Sequence, residues 1–201
     1  MDNLKQCIEE TLSEIKNHLE NGIIGFWQKN GIDEEYGGYL TCFDNEGEPS
    51  GDTDKYIVTQ TRMIWGFSAL YNQYPEKKEL LQQAKQGVEF FIRYFWDNEN
   101  GGWFWKVKGD GATIDKGKVV YGQSFAIYAL SEYVKASGDS LALEYVEKTF
   151  DLLQKYCVDT LRGGYYENLE PDWSLSEPGF AAGDRKSLDI HMHIMEAYTT
   201  L

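Results

Sequence analysis

The chain has 201 residues, 42% hydrophobic and 15% aromatic, which is enough apolar material for a globular core and argues against disorder. Its 19 Lys and Arg face 33 Asp and Glu, and a formal net charge of −14 argues against nucleic-acid phosphates or an anionic membrane surface as partner. Cys7, Cys42 and Cys157 are odd in number and far apart, so neither a disulfide framework nor a paired zinc motif is suggested; the N-terminal residues lack the apolar run of a signal peptide, and no stretch reaches the roughly 18 apolar residues of a membrane span. The expectation is a cytoplasmic chain that is not exported.

Residues 2–28 read as a helix with apolar positions at Leu4, Ile8, Leu12, Ile15, Leu19 and Ile23 and charges between them, so that one face is solvated. A Gly- and Asp-rich loop follows at 30–54, and its alternating run 39–43 reads as one strand of a hairpin. Residues 56–71 carry a single charge, Arg62, as expected of a helix covered on nearly all sides. The pattern then recurs with a charged amphipathic helix at 76–96, a long loop at 97–117, a helix at 119–134 whose one charge is Glu132, a charged helix at 139–158 and a loop at 160–185. The last segment, from 187 onward, reads as another buried helix; Asp189, His193 and Glu196 share one face, Leu188, Met192 and Met195 another.

The loops repeat as well. Gly37-Gly38-Tyr39, Gly101-Gly102-Trp103 and Gly163-Gly164-Tyr165 are spaced 64 and 62 residues apart, each just after a charged helix. Three copies of outer helix, Gly-Gly-aromatic loop and inner helix predict an all-α toroid of helical hairpins rather than a generic bundle, with short β-hairpins in the loops. Long outer-to-inner loops place the functional end at the N-termini of the inner helices, where Arg62, Tyr121, Asp189 and His193 fall.

Arg62 needs either a buried carboxylate or a substrate oxygen to grip. Tyr121 fits core packing or a site hydroxyl. His191 and His193 are two apart on a helix and point in different directions, so they do not easily share one metal, whereas Asp189 and His193 could; without a third ligand no metal is expected, and one imidazole suits hydrogen bonding or proton transfer to a polar substrate, the other a core hydrogen bond. Trp103, Phe104, Trp105, Tyr165, Tyr166 and Trp173 suit either a stacking platform for sugar rings or pins that hold the hairpins onto the helix ends.

At Gln60-Thr-Arg62-Met-Ile-Trp65, Val120-Tyr121-Gly-Gln-Ser-Phe125 and Asp184-Arg-Lys-Ser-Leu-Asp189-Ile-His191-Met-His193-Ile-Met-Glu196-Ala, the chain resembles the N-acylglucosamine 2-epimerase superfamily, most closely its cellobiose 2-epimerases. That resemblance covers essentially the whole chain. It implies an (α/α)6 barrel and cofactor-free epimerisation at C2 of the reducing-end glucose of a β-1,4-linked disaccharide, by proton abstraction to a cis-enediolate and reprotonation on the other face. On it, His193 matches the histidine that assists ring opening, Arg62 and Tyr121 match sugar-binding residues, and Asp189 stands where many relatives carry Asn; His191 belongs to the same motif. Members of the family are about twice this length, and their two proton-transfer histidines lie in the half without counterpart here, so the expectation is one domain, 1–201, forming the N-terminal half of a barrel, with its apolar flanks open. A sugar is the expected partner, with no nucleic acid or membrane, and oligomeric state is not indicated. The alternatives are a mannose or N-acylglucosamine epimerase or aldose–ketose isomerase, a non-catalytic sugar-binding half-barrel, a glycoside hydrolase using Asp52 and Asp54, and a zinc-dependent toroid.

Overall fold

A computed structural model describes residues 2–178 and 183–201. Its first rod is α1 (Asp2–Asn17), a wider π-helical segment (His18–Ile24) and α2 (Gly25–Asn30), so the helix expected at 2–28 forms with a change of pitch in its middle. Then come α3 (Ile57–Gln73), α4 (Lys78–Phe95), α5 (Val120–Ser137), α6 (Ser140–Leu152) with a π-helical end (Leu153–Cys157), and α7 (Leu188–Thr200). The charge-poor helices α3, α5 and α7 lie side by side, with α4 backing α3 and α6 backing α5. No helix among the described residues is long and apolar enough to cross a membrane.

The central helix α5 is covered by neighbours on both sides, and Val120, Ala126, Ile127, Ala129 and Leu130 are wholly buried. It stops at Gly138, whose φ of 72° supplies the left-handed C-cap with its N–H on the Val134 carbonyl. Asp139 then caps α6 at once, accepting from the N–H groups of Leu141 and Ala142. Those two residues explain why the connection from α5 to α6 is short.

The long loops are held by a device that recurs in all three repeats. Asp33, Asp97 and Asp159 each stand four residues before a Gly-Gly pair and accept backbone N–H bonds from residues two and three further on. Each also takes an ammonium from a lysine two residues ahead of an inner helix: Lys55 at 2.5 Å, Lys118 at 2.8 Å and Lys186 at 2.5 Å. The aromatic residue after the glycines is latched by the fourth residue of the same inner helix. Gln60 bonds both backbone groups of Tyr39, Gln123 both of Trp103, and His191 accepts from the N–H of Tyr165. Every glycine of the three pairs has φ between 70° and 84°, a conformation that costs a side-chain-bearing residue dearly.

The strand expected at 39–43 is not formed as a ladder. Isolated bridges, Ile32 to Tyr39 and Phe43 to Pro49, replace it, because the Gln60 side chain occupies both backbone groups of Tyr39 that a partner strand would need. Short strands lie elsewhere: β1 (Lys55–Tyr56), β2 (Lys106–Val107) and β3 (Thr113–Asp115) form one antiparallel sheet, and β4 (Lys118–Val119) pairs with β5 (Asn168–Leu169). In both sheets the loop of one repeat pairs with the lead-in to the inner helix of the repeat before.

Burial of the first rod departs from its apolar pattern. Most of the stripe is exposed, from Leu4 at 67% to Ile23 at 47%, with Leu19 half-buried against the core, because α1 packs against little beyond its own π-helical continuation. The last helix is open on one side too, with Leu188, Met192 and Met195 exposed, since only α5 covers it among the inner helices.

Candidate functional site

Three of the inner helices' side chains fall in equivalent places. Counted from the first residue of α3, α5 and α7, Arg62, Phe125 and His193 share one position, and Trp65, Tyr128 and Glu196 share the position three residues on. One helical turn therefore points six side chains from three repeats toward one axis. Together with Gly66 they line a cavity of about 420 Å³. A smaller, more apolar cleft of about 210 Å³ lies on the other side of Arg62, between α3 and Leu19, Ile23, Ile24 and Trp27 of the first rod.

Phe125 is the divider of the site. The Arg62 guanidinium lies 4.9 Å from its ring centre and the His193 imidazole 4.7 Å from it, so cation and imidazole both pack on one aromatic ring. Arg62 is solvent-exposed, which corrects the expectation of an inner helix covered on nearly all sides; no carboxylate among the described residues pairs with it. Trp65 and Tyr128 stack at 5.2 Å and 13°, forming a flat apolar wall. Burial raises the Tyr128 hydroxyl above its ordinary pKa; Glu196 and Glu132 push it the same way and Arg62 opposes them.

The expected residues divide in use. His193 lines the cavity, with Nδ1 2.6 Å from Oε2 of Glu196 and its ring edge against Tyr121 at 4.9 Å. Tyr121 supports the imidazole and Phe125 from outside the lining. Asp189 is exposed in the first turn of α7, one turn before His193, and does not line the cavity. His191 points the other way: Nε2 accepts the Tyr165 N–H at 3.0 Å, and Nδ1, which must then carry the proton, donates to the Ser187 carbonyl at 2.7 Å. With both nitrogens engaged by backbone it has none to offer a sugar.

The aromatic residues near the loops act as pins. Trp103 is wholly buried, stacked on Phe91 at 4.3 Å, with Nε1 donating to Thr149. Trp173 stacks on Tyr156 and donates to the Asn100 carbonyl. Asp54 is bound to Lys106 at 2.6 Å and Asp52 accepts the Asp54 N–H, and neither lines the cavity, which removes the geometry a carboxylate pair for glycoside hydrolysis requires.

Trp65, Phe125, Tyr128 and Glu196 complete the lining without having been singled out as site residues from sequence. The signal that finds them is register: once the three inner helices are aligned on their first residues, the positions of Arg62 and His193 identify the other members of the ring.

The chain matches the family model described as N-acylglucosamine 2-epimerase (GlcNAc 2-epimerase) over residues 38–201. It is 36% identical over 195 residues to a cellobiose 2-epimerase of Dictyoglomus turgidum, covering 94% of this chain and 49% of that protein. It is 27% identical to a D-mannose isomerase of Marinomonas mediterranea, over 91% of this chain and 43% of the relative. The solved cellobiose 2-epimerase of Spirochaeta thermophila superposes with a TM-score of 0.88 at 33% identity, over 98% of this chain and 49% of that one. A family 76 glycoside hydrolase structure from Bacteroides thetaiotaomicron, at 18% identity and a TM-score of 0.65, shares the fold alone. The chain thus spans about half the length of the curated relatives it matches, and its helices form about half of an (α/α)6 barrel. With the site on the inner face of those helices and the family model matching 164 of its 201 residues (38–201), the chain belongs to the N-acylglucosamine 2-epimerase family of carbohydrate epimerases and isomerases.

Proposed function

We propose that this chain forms the N-terminal half of a cellobiose 2-epimerase-type barrel and supplies its sugar-holding and ring-opening wall. The observation that carries the reading is the convergence of Arg62, His193 and a Trp65–Tyr128 wall on one cavity of about 420 Å³ at the inner-helix face. A sugar ring offers an apolar C–H face to such a wall and hydroxyls to its rim. His193 is placed to exchange a proton with the anomeric hydroxyl, opening the ring to the aldehyde whose C2 proton becomes acidic. Arg62, with its fixed fork of donors, suits the oxygens on which enediolate charge develops.

Epimerisation moves one proton off C2, its electron pair entering the C1–C2 enediolate, and returns one to the opposite face, with no net oxidation. Two acid/bases on opposite faces are needed, and this chain has three histidines in all. His18 is exposed on the first rod and His191 is engaged by backbone, which leaves His193. The proton-transfer pair of the family is therefore assigned to the second half of the barrel, and the reducing-end glucose of a β-1,4 disaccharide to the substrate, in a soluble cytoplasmic enzyme without cofactor. The test is cellobiose in D2O with this chain alone and with the second half of a related epimerase added, following C2 by NMR. Deuterium at C2 and a mannose epimer only in the mixture support the reading; no exchange in the mixture, with no chemical-shift change of Trp65 on adding cellobiose, overturns it.

A further inference from the structure

We propose that Glu196 is a positioning residue that fixes the tautomer of His193 and leaves its Nε2 as the nitrogen presented to the cavity. Glu196 follows His193 by three residues on α7, the spacing at which helix side chains meet, and its Oε2 is 2.6 Å from Nδ1. An ionised carboxylate only accepts hydrogen bonds. In the neutral imidazole the proton must then sit on Nδ1, and Nε2 keeps its lone pair. Phe125 at 4.7 Å and Tyr121 at 4.9 Å pack against the ring, whose side chain is 15% exposed, and oppose its turning away.

The repeat provides an independent argument. At the position of Glu196 the first two repeats carry Trp65 and Tyr128, which stack on each other. Packing between inner helices thus calls for an aromatic residue there, and the third repeat departs from it in the one copy whose preceding turn holds a histidine. His191 makes the comparison sharper. It carries the same Nδ1–H tautomer but is fixed by the Ser187 carbonyl, and its Nε2 is taken by the Tyr165 N–H, so one helix holds two imidazoles in one tautomer and frees Nε2 in only one of them. The charged and titratable groups facing the dyad are Arg62 from α3 and Tyr121 and Tyr128 from α5, with Glu132 acting on Tyr128.

The role rests on the reading that this cavity takes a sugar hydroxyl at His193, but its test does not need turnover. Long-range proton–nitrogen NMR spectra of the 15N-labelled chain at alkaline pH report the tautomer of each imidazole. The expected result is Nδ1–H for His193, favoured about tenfold or more as a charge-assisted bond allows. In Glu196→Ala the majority switches to Nε2–H, the form a free imidazole prefers, while Glu196→Gln, whose amide oxygen also accepts, keeps Nδ1–H. His191 stays Nδ1–H throughout and serves as the internal reference. A wild-type His193 in the Nε2–H form overturns the proposal by itself, without any variant. An Nδ1–H form that persists in Glu196→Ala overturns it equally. A wild-type chain that binds no cellobiose while Glu196→Ala still switches the His193 tautomer counts against the sugar reading and supports the positioning role.

Discussion

Lys118 Nζ lies 2.8 Å from Asp97 Oδ2, and the two side chains are 0% and 6% exposed. Burial opposes ionisation of Asp97, yet the Lys118 ammonium and the N–H groups of Glu99 and Asn100 outweigh it and hold the carboxyl below its ordinary range. Burial likewise pushes the Lys118 ammonium down, and Asp97 pulls it back up. Removing one partner leaves a buried charge without its counterion. Lys118→Met is expected to cost about 3–5 kcal/mol in urea unfolding. The exposed pair Lys148–Glu144, shorter still at 2.6 Å, is the control, and Lys148→Met should cost about 0.5 kcal/mol or less.

Acid should loosen the loops before the helices. Asp159 is held well below its ordinary value, first by Lys186 and then by the backbone N–H groups of Arg162 and Leu161, and Asp97 is lowered as well. A carboxylate with a depressed folded-state pKa contributes stability above its unfolded value, and that stability is lost as pH falls through the folded one. The urea midpoint should therefore be steady at neutral pH and fall once pH drops below the unfolded carboxylate value of 3.8. Asp159→Asn should show a lower midpoint at neutral pH and a shallower acid limb; an unchanged limb would remove the latch from the explanation.

His191 can be exchanged for the residue that does its work in the other repeats. Gln60 and Gln123 occupy the same position and bond the same backbone groups, so His191→Gln should keep the Tyr165 latch and cost about 1 kcal/mol or less. His191→Ala strands the Tyr165 N–H and should cost about 1–3 kcal/mol. Thermal melts of the two variants distinguish this from a sugar-binding role, in which both would lower cellobiose affinity alike at unchanged stability.

Gly66 tests whether the cavity is a site. A Cβ there meets nothing within 4 Å, so Gly66→Ala should stabilise α3 by about 0.5–1 kcal/mol through helix propensity. The same methyl group enters the lining beside Arg62 and Trp65. A raised melting temperature together with weaker cellobiose binding, read by calorimetry, is the expected pair of outcomes.

The alternation of charged and charge-poor helices was legible because it is a one-dimensional pattern, and it placed α3 through α7 to within a few residues. Exposure of Arg62 was not, since whether an inner helix is covered depends on what stands across the lumen, and an apolar run looks the same beside an occupied or an open axis. The latches were half legible. Asp33, Asp97 and Asp159 stand at a fixed distance before the glycine pairs, but their lysine partners lie 22, 21 and 27 residues on, and only the fold brings them back. The run 39–43 misled because alternation marks a strand only when its backbone groups are unclaimed, and Gln60 claims them.

Those three short separations have a consequence for how the chain is made. Every latch joins a loop to the helix directly after it, so nothing downstream of an inner helix's first turn is needed to close it. Each repeat can lock its own loop as it leaves the ribosome, and the later repeat then docks on an edge that is already rigid. For the aspartate–lysine latches, synthesis order and assembly order coincide, and later contacts such as Trp103 on Thr149 and the strand pairing between repeats are added to a loop that is already closed.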